Sequence, residues 1–249
     1  MAHGHGTLQA TFAYHHTMTD YVFTPAAQAS VPVQGGSALF PVHRIYCVGR
    51  NYAEHAREMG SSGREAPFFF MKPADAVLPV PAGALGSMPY PTLTEDLHHE
   101  IELVVAIGTA GHRIAVADAL DHVWGYAVGL DMTRRDLQAQ AKAKGRPWCI
   151  AKGFDASAPI GPITPAAQAG GVMDAGIRLM VNGQERQRGS IGQMIWNVAE
   201  TIAEISNAWQ LAPGDLIFTG TPAGVGAVQR GDTLEASIDG LEPLRVAIA

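Results

Sequence analysis

The 249-residue sequence contains few cysteines and few charged residues, and these shortages exclude several classes of protein. Its two cysteines, Cys47 and Cys149, cannot build a disulfide framework or a zinc knuckle, and we expect both to be buried free thiols. No basic run occurs and the net charge is −6, which argues against nucleic acid as a partner. No segment approaches the roughly 18 consecutive apolar residues of a transmembrane helix, so we expect no membrane partner.

The N-terminus also lacks a secretory signal. Residues 1–17 are rich in histidine and have no basic region followed by an apolar one. We interpret this stretch as a tag remnant or a mis-assigned start and give it no function. Together with the free thiols, the missing signal predicts a cytoplasmic protein.

Short apolar runs separated by 28 glycines and 16 prolines predict a β-rich α+β fold with a few short helices. We divide the chain into a small N-terminal β element (residues 1–40) and one catalytic domain (residues 41–249). Residues 79–91 hold four prolines and two glycines and predict turns and coil. The predicted strands are 44–49, 68–73, 97–107, 125–130, 177–181, 216–218, 233–238 and 244–248, and the predicted helices are 51–59, 116–120, 136–144 and 191–207.

Three carboxylates are the most informative feature that the sequence does contain. Glu100 and Glu102 lie in one predicted strand, where alternate side chains point to the same face. Asp131 follows the next apolar run, and a neighbouring strand there would place its carboxylate beside the other two. Converging acids repel each other unless a cation neutralises them, and oxygen ligands suit a hard ion such as Mg²⁺, Mn²⁺ or Ca²⁺. We therefore predict a metal site.

A histidine and a glutamate in the predicted helix 51–59 suggest a general base. His55 and Glu58 are spaced i and i+3, so they would lie on one helix face, where the carboxylate could orient the ring and raise its basicity. Such a pair is suited to the activation of water. The spacing alone favours a surface ion pair, and the position directly after a buried strand makes the catalytic interpretation more competitive.

Two further segments could contact a ligand. Lys152 lies in an apolar run, so it must extend to solvent, pair with a carboxylate or face an anion-binding cavity. The glycine-rich stretch 219–226 lacks the lysine of a phosphate-binding P-loop. It predicts a tight loop that exposes backbone N–H groups and the hydroxyl of Thr221, which could bind a carboxylate oxygen.

Taken together, these motifs resemble the fumarylacetoacetate hydrolase family, and the resemblance covers about residues 40–249. Within the family the chain is most similar to the short acylpyruvate hydrolase branch, which includes bacterial fumarylpyruvate hydrolases. Five blocks occur in the family's order, namely residues 46–52, 98–103, 130–136, 147–152 and 219–226.

This resemblance implies a mixed β-roll, a homodimer and one Mg²⁺ or Mn²⁺ ion per subunit. It implies a C–C bond hydrolase acting on a 2,4-diketo acid, with fumarylpyruvate as the expected small-molecule substrate and with pyruvate and a carboxylic acid as the products. The implied metal ligands are Glu100, Glu102 and Asp131, the implied catalytic residues are His55, Glu58 and Lys152, and the implied substrate-binding residues are Arg50, Arg135, Gln138 and Thr221.

Two alternatives remain open at the level of the sequence. The same fold and metal could support decarboxylation of oxaloacetate or isomerisation of a diketo acid. The protein could also be a metal-binding protein that has lost catalysis, although such a protein would be expected to lack the lysine or the histidine–glutamate pair.

Overall fold

The computed structural model describes residues 20–53 and 64–249, and within them strands dominate. This confirms the predicted β-rich fold class. The strands are β1 (Ser30–Pro32), β2 (Leu39–Pro41), β3 (Ile45–Gly49), β4 (Phe68–Lys72), β5 (Val77–Pro79), β6 (Gly86–Met88), β7 (Leu97–His99), β8 (Ile101–Ile107), β9 (Val123–Leu130), β10 (Thr133–Arg134), β11 (Ala158–Ile160), β12 (Thr164–Pro165), β13 (Gly176–Val181), β14 (Gln184–Ser190), β15 (Leu216–Phe218), β16 (Gly226–Val228), β17 (Thr233–Ile238) and β18 (Leu244–Ile248).

These strands form four sheets, of which the two largest mix parallel and antiparallel pairs and the two smallest are antiparallel. The largest has eight strands in the order β4-β3-β15-β8-β9-β11-β5, with β12 also paired to β9. A five-stranded sheet follows the order β14-β13-β17-β18-β6, a three-stranded sheet follows β10-β7-β16, and β1 pairs with β2. Because most neighbours are distant in sequence, long-range pairing brings the ends of many strands together.

Strand β8 lies at the centre of the largest sheet, and every one of its residues is buried. Its side chains alternate between two hydrophobic clusters, with Leu103 and Val105 in one and Val104 and Ala106 in the other. A strand covered on both faces has a continuous apolar sequence, as this one does from Leu103 to Ile107. Glu102 belongs to the same alternating row as Val104 and Ala106, so its carboxylate is committed to the protein interior.

The helices of the described residues are short. They are α1 (Arg135–Ala143), α2 (Cys149–Lys152) and α3 (Val198–Ala208), and Val116–His122 forms a 3-10 helix. None of the helices among the described residues is long and apolar enough to span a membrane.

The predicted helix 191–207 is wrong over its first seven residues. Ile191–Gln193 forms a separate 3-10 turn, and α3 begins only after Asn197. The Asn197 side chain accepts a hydrogen bond from the Glu200 N–H at 2.9 Å, while Glu200 bonds back to the Asn197 N–H at 3.1 Å. This reciprocal cap fixes the start of the helix, and the apolar spacing upstream of it does not reveal such a boundary.

Two other predictions are also wrong. Residues 79–91 are not only coil, because β6 pairs in parallel with β18 along Val246–Ile248. A three-residue strand between prolines and glycines is too short to show a period in the sequence. Cys149 is exposed, whereas Cys47 is buried as predicted, because Cys149 occupies the first position of α2 with its side chain in solvent.

Candidate active site

The pairing of β8 with β9 brings three acids to one point. Glu102 in β8 lies opposite Gly129 of β9, and the Asp131 N–H donates to the Glu100 carbonyl at 2.9 Å. One carboxylate oxygen from each of Glu100, Glu102 and Asp131 lies within 4.8 Å of the others. We call these three residues the acidic triad, and all three are buried.

The route of the chain at Glu100 differs from the prediction. The expected strand 97–107 is interrupted there, because β7 pairs with β10 and β16 while β8 pairs with β9 and β15. The chain therefore passes from one sheet to another at Glu100. The carboxylates of Glu100 and Glu102 still converge, although the reason is this junction and not one regular strand.

Three cationic side chains surround the acidic triad. The Lys152 Nζ donates to Glu100 Oε2 and to Asp131 Oδ2, both at 2.7 Å. The Lys72 Nζ lies 2.8 Å from Asp131 Oδ1, and Arg135 forms an ion pair with Glu100. Both lysine side chains are about 2% exposed or less, so these ion pairs form in a region that excludes water.

The electrostatics of the site favour cations. Burial raises the pKa of Glu102 well above its ordinary value, and the neighbouring Asp131 and Glu100 carboxylates raise it further. Burial alone would lower the pKa of Lys152, but Asp131 and Glu100 outweigh it, and the net effect raises the pKa. Lys152 is therefore an ammonium ion at neutral pH, and the acidic triad is a place where an additional positive charge is favoured.

The glycine-rich loop closes one side of the site. The Gly220 N–H donates to Glu102 Oε2 at 2.8 Å. Gly220 has a φ of +99°, and a Cβ atom there would come within 2.7 Å of the Asn51 side chain. Glycine is therefore required for the loop to approach so closely. The next residue, Thr221, lines the cavity beside the triad.

Helix α1 places two further predicted residues at the cavity. Arg135 donates from a terminal guanidinium nitrogen to Gln138 Oε1 at 2.5 Å, and from Nε to His98 Nδ1 at 3.3 Å. The other ring nitrogen of His98 lies 2.9 Å from Asp96. Arg135 is thus held on three sides, by Gln138, His98 and Glu100, with its charge directed at the acidic triad.

A small cavity of about 20 Å³ lies between these groups, which is room for an ion or a water molecule. Arg50, at its rim, has a left-handed backbone with φ of 58°, and its guanidinium lies 5.6 Å from the Phe68 ring centre. The buried Nε of Arg50 has no hydrogen-bond partner among the described residues. The lining residues are Val48, Gly49, Arg50, Phe70, Glu100, Glu102, Asp131, Arg135, Gln138, Trp148, Lys152 and Thr221.

The predicted base, His55 with Glu58, lies outside the described residues, so it stays a prediction. Asn51, which lies two residues before the last described residue on that side, is firmly anchored. Asn51 donates from its side-chain amide to the Thr219 carbonyl at 2.7 Å and to the Trp196 carbonyl at 2.9 Å. The chain therefore leaves the described region from a fixed point beside the glycine-rich loop.

Lys72 is a site residue that the sequence analysis missed. It ends β4, where it is buried and pairs with Asp131. The available signal was a lysine directly after the run Phe68–Met71 and before Pro73, which is the same argument that identified Lys152. An apolar strand that ends in a lysine indicates either an exposed end or a buried ion pair, and only the fold shows which.

The donor set fits a divalent metal ion. Glu100, Glu102 and Asp131 offer oxygen ligands from a buried site, as hard cations such as Mg²⁺ and Mn²⁺ require. The three carboxylates repel one another, and such an ion would remove that repulsion. The geometry thus agrees with the predicted divalent-ion site.

Comparison with known proteins gives a consistent result. Residues 44–249 match the model of the fumarylacetoacetate hydrolase C-terminal family. The crystal structure of a fumarylpyruvate hydrolase from Pseudomonas aeruginosa, in complex with Mn²⁺ and pyruvate, is 56% identical, with a TM-score of 0.91 over 92% of this chain and 99% of that one. The mitochondrial oxaloacetate tautomerase of Rattus norvegicus is 42% identical over 82% of this chain and 90% of its own length. The mitochondrial oxaloacetate decarboxylase of Dictyostelium discoideum is 42% identical over 80% and 90%.

Proposed function

This chain belongs to the fumarylacetoacetate hydrolase family, and on that basis we propose that it hydrolyses a C–C bond of an acylpyruvate, most specifically fumarylpyruvate. Members of the family are enzymes, and the fumarylpyruvate hydrolase of Pseudomonas aeruginosa is 56% identical to this chain. The observation on which the proposal rests is the ammonium of Lys152 held against two members of the acidic triad inside a cavity. A 2,4-diketo acid needs such a combination of an ion and a fixed positive charge.

The charge of the site supports an anionic substrate. The three carboxylates of the acidic triad are matched by the three cations Lys72, Lys152 and Arg135. A bound divalent ion therefore leaves the site with an excess of positive charge, which an acylpyruvate with a second carboxylate would neutralise. When bound, the ion would hold the substrate's carboxylate and adjacent oxo oxygen and withdraw electrons from them.

In the proposed reaction, water adds to the acyl carbonyl that is distal to the pyruvate unit. We assign removal of a proton from that water to His55, oriented by Glu58. The C–C bond between the acyl carbon and the pyruvate methylene then breaks, and the bonding electrons go to the pyruvate unit. After this carbon accepts a proton, the products are pyruvate and the carboxylic acid of the acyl group.

Lys152 has the protonation state that this reaction needs. Because the pKa of Lys152 is raised, the residue is protonated at neutral pH, which suits a cationic role and not that of a neutral amine nucleophile. Its ammonium can stabilise the negative charge that develops on the departing pyruvate unit. The hydrogen bonds to Glu100 and Asp131, both of 2.7 Å, fix it in place before the substrate arrives.

We assign recognition of the distal carboxylate to Arg50. A second small cavity shares Gly49 and Arg50 with the first and extends past Phe68 towards Trp196. An acyl group that reaches from the acidic triad into this second cavity would pass the guanidinium of Arg50. The interaction between a guanidinium and a carboxylate is strong where both are partly desolvated.

The Arg50 assignment is tested by comparing two substrates. Arg50→Gln should raise KM for fumarylpyruvate by about tenfold or more, since a charge-assisted hydrogen bond contributes about 1.5–3 kcal/mol. Acetylpyruvate, which has no distal carboxylate, is the matched control and should be affected much less. An equal loss for both substrates would show that Arg50 does not distinguish the acyl end.

A second candidate function rests on the curated relatives that act on oxaloacetate. Oxaloacetate shares the carboxylate and adjacent oxo group of an acylpyruvate, so it can occupy the same part of the site. Its reaction either releases CO₂ or interconverts tautomers, and neither requires water to add to a distal carbonyl. Arg50 and the second cavity favour the longer substrate.

The proposed function is tested by supplying acylpyruvates and oxaloacetate in parallel to Mn²⁺-loaded and Mg²⁺-loaded protein. We expect pyruvate release from fumarylpyruvate to exceed CO₂ release from oxaloacetate in kcat/KM, and both to stop after chelation. Oxaloacetate as the better substrate would favour the second candidate. Cleavage that persists in fully metal-free protein would contradict the role of the acidic triad.

A further inference from the structure

We infer that Gln187 is a positioning residue, which fixes the hydroxyl of Thr221 so that it accepts hydrogen bonds from the ligand and does not donate them. Gln187 lies on β14, outside the cavity, and is 1% exposed. Its amide nitrogen donates to Thr221 Oγ1 at 2.8 Å, and Thr221 lines the cavity. The inference rests on the proposed function for its assay and adds a residue that the sequence analysis did not consider.

The orientation of the Gln187 side chain is determined by its neighbours. Its oxygen accepts from the Ile101 N–H at 3.1 Å, and a backbone N–H can only donate. Its nitrogen donates to the Pro222 carbonyl at 2.9 Å, and a carbonyl can only accept. A flipped amide would lose both bonds, so the nitrogen must face Thr221.

The imidazole of His99, which contacts the oxygen of this amide, is consistent with the same orientation. His99, which is buried, has Nδ1 2.9 Å from the Gln187 oxygen. Since that oxygen only accepts, His99 must carry its proton on Nδ1 and donate it. The amide oxygen thus receives two hydrogen bonds, and the side chain of Gln187 is held at both ends.

The direction of the Thr221 hydroxyl follows from these bonds. Its oxygen lies 2.7 Å from the Ile101 carbonyl, which can only accept, so the hydroxyl proton is directed at that carbonyl. One lone pair of the oxygen receives the Gln187 N–H. What remains towards the cavity is a lone pair, and a lone pair requires a ligand atom that bears hydrogen.

The path of the loop keeps this arrangement rigid. Gly224 has a φ of +91°, and a Cβ atom there would lie 2.1 Å from the Arg186 carbonyl oxygen. The glycine-rich loop is therefore pressed against β14 next to Gln187. This contact lets a side chain from the five-stranded sheet set the position of a hydroxyl that lies beside β8 of the largest sheet.

This polarity differs from the expectation that Thr221 donates to a carboxylate oxygen. A hydroxyl fixed as an acceptor suits the enol hydroxyl of a diketo acid or a bound water molecule. It disfavours a bare carboxylate oxygen at that position, because two lone pairs would face each other. The network of Gln187 thus selects which end or which tautomer of the substrate lies against Thr221.

A double-mutant cycle with Gln187→Met and Thr221→Val tests the positioning role. Each single variant should lower kcat/KM for the acylpyruvate by about tenfold or more, since loss of a fixed buried contact costs about that much. The double variant should be no worse than Thr221→Val alone, because Gln187 acts through Thr221. Losses that multiply in the double variant would overturn the inference, as would an unchanged rate in Gln187→Met.

Two controls separate positioning from simple destabilisation. Ser206→Ala removes a buried hydroxyl that bonds the Ile114 N–H at 2.8 Å, far from the site, and should lower the melting temperature without changing kcat/KM. Should Gln187→Met fail to fold, Gln187→Glu keeps the acceptor for Ile101 and loses the amide donors. The same non-additivity is expected from it, and additivity would count equally against the inference.

A binding measurement tests the polarity without turnover. Oxalate and oxamate have nearly the same shape, but only oxamate presents N–H donors. In Mn²⁺-loaded protein, Thr221→Val and Gln187→Met should each weaken oxamate relative to oxalate by about fivefold to tenfold. A larger loss for oxalate would show that the hydroxyl donates to the ligand, and equal weakening would show that it does not select a donor. Either result would overturn the inference.

These two assays also distinguish the inference from the proposed function. If Gln187→Met and Thr221→Val weaken oxamate relative to oxalate as expected but the wild-type protein cleaves no acylpyruvate, the proposed function fails and the role of Gln187 stands. If the protein cleaves acylpyruvates and the cycle is additive, the proposed function stands and the role of Gln187 fails.

Discussion

The two ends of strand β15 both bury acidic groups, and they do so in opposite ways. Asp215 directly precedes the strand, while Gly220, two residues after its end, donates to Glu102 of the acidic triad. Both ends exclude water from a carboxylate, and burial of a charge is unfavourable unless it is paired. The difference lies in how completely each acid is paired by its own surroundings.

At the first end, Asp215 is fully satisfied. Its side chain has 0% exposure, and each oxygen has two donors. Oδ1 is contacted by His43 at 2.9 Å and Arg44 at 3.0 Å, and Oδ2 by Arg44 and the Ala212 N–H at 2.8 and 2.9 Å. One carboxylate pairs with the guanidinium of Arg44 and accepts from the N–H of a turn. This end of the strand therefore serves to stabilise the fold, and we call Asp215 the anchor.

At the second end, the carboxylates of the acidic triad lie close together in one buried site. Lysines and an arginine balance their charge, yet burial still raises the pKa of Glu102 well above its ordinary value. A protein that needed only stability would not place three acids within 4.8 Å of one another. Crowding of this kind indicates a site that is completed by a ligand, whereas full pairing indicates structure.

The largest expected effect is a loss of activity on substitution of Glu102, which lies at the end of β15 where the three acids crowd together. Glu102→Gln should lower kcat/KM by about a thousandfold or more, because the loss of a metal ligand removes several kcal/mol of charge stabilisation. Bound Mn²⁺, measured by elemental analysis, should fall with it. In chelator, this variant should melt no lower than the wild type, because the amide relieves the crowding of acids and can still accept from Gly220. A variant that melts much lower and retains its metal would make Glu102 a structural acid like Asp215.

The second prediction separates Lys152 from the metal ligands. Lys152→Met should lower kcat by about a thousandfold, since the charge that develops on pyruvate loses its fixed cation. Because Lys152 bonds two of the carboxylates that would hold the ion, its removal should tighten Mn²⁺ binding by about tenfold. Competition with a fluorescent chelator measures this affinity, and weaker Mn²⁺ binding would show that Lys152 supports the metal site.

The third prediction concerns the anchor. Asp215→Asn should lower the free energy of unfolding by about 2–3 kcal/mol, because Arg44 and His43 lose the charge that they pair with. Consistent with this pairing, the hydrogen bond to Asp215 raises the pKa of Arg44. Urea denaturation measures the loss, and kcat/KM of the folded variant should stay unchanged. A selective loss of activity with normal stability would contradict the contrast between the two ends.

The smallest effect concerns Asp136, a half-buried acid that directly follows Arg135. We expect it to contribute to stability, as Asp215 does. Burial is the largest single influence on Asp136 and opposes its ionisation, but the hydrogen bonds from Thr94 at 2.6 Å and from the backbone N–H groups of Leu137 at 2.8 Å and Glu95 at 3.3 Å together outweigh it and lower the pKa. A lowered pKa stabilises the fold above the unfolded value of 3.8, and this contribution is lost as the pH falls through the folded value. Asp136→Asn should therefore cost about 1 kcal/mol at pH 7 and nearly nothing below the folded pKa.

Denaturation of the Asp136 variant and of the wild type at a series of pH values tests this sign. A difference between the two proteins that grows as the pH falls would contradict it. Asn at position 136 keeps the size of the side chain, so packing is not the variable.

Much of the site could be predicted because its residues follow apolar runs that are themselves recognisable. Glu102 follows from the alternation of β8, and Asp131 from the end of β9. The apolar run around Lys152 allows a side chain that extends to solvent, pairs with a carboxylate or faces an anion-binding cavity, and the structure gives it two carboxylate partners. The start of α3 could not be predicted, because a cap formed by Asn197 and Glu200 overrides the apolar spacing before it.

The sequence by itself determined the chemistry that is available, namely three acids behind apolar strands, a lysine in an apolar run and a glycine-rich loop. Tertiary structure alone decided which groups touch. Lys72 is 59 residues from Asp131, and Gln187 is 34 residues from Thr221, yet each pair lies 2.8 Å apart. Hydrogen bonds and ion pairs act over a few ångströms, whereas the order of strands in a mixed sheet bears no simple relation to distance along the chain. Local patterns therefore indicate the components of the site, and only the pairing of the sheets shows how they are arranged.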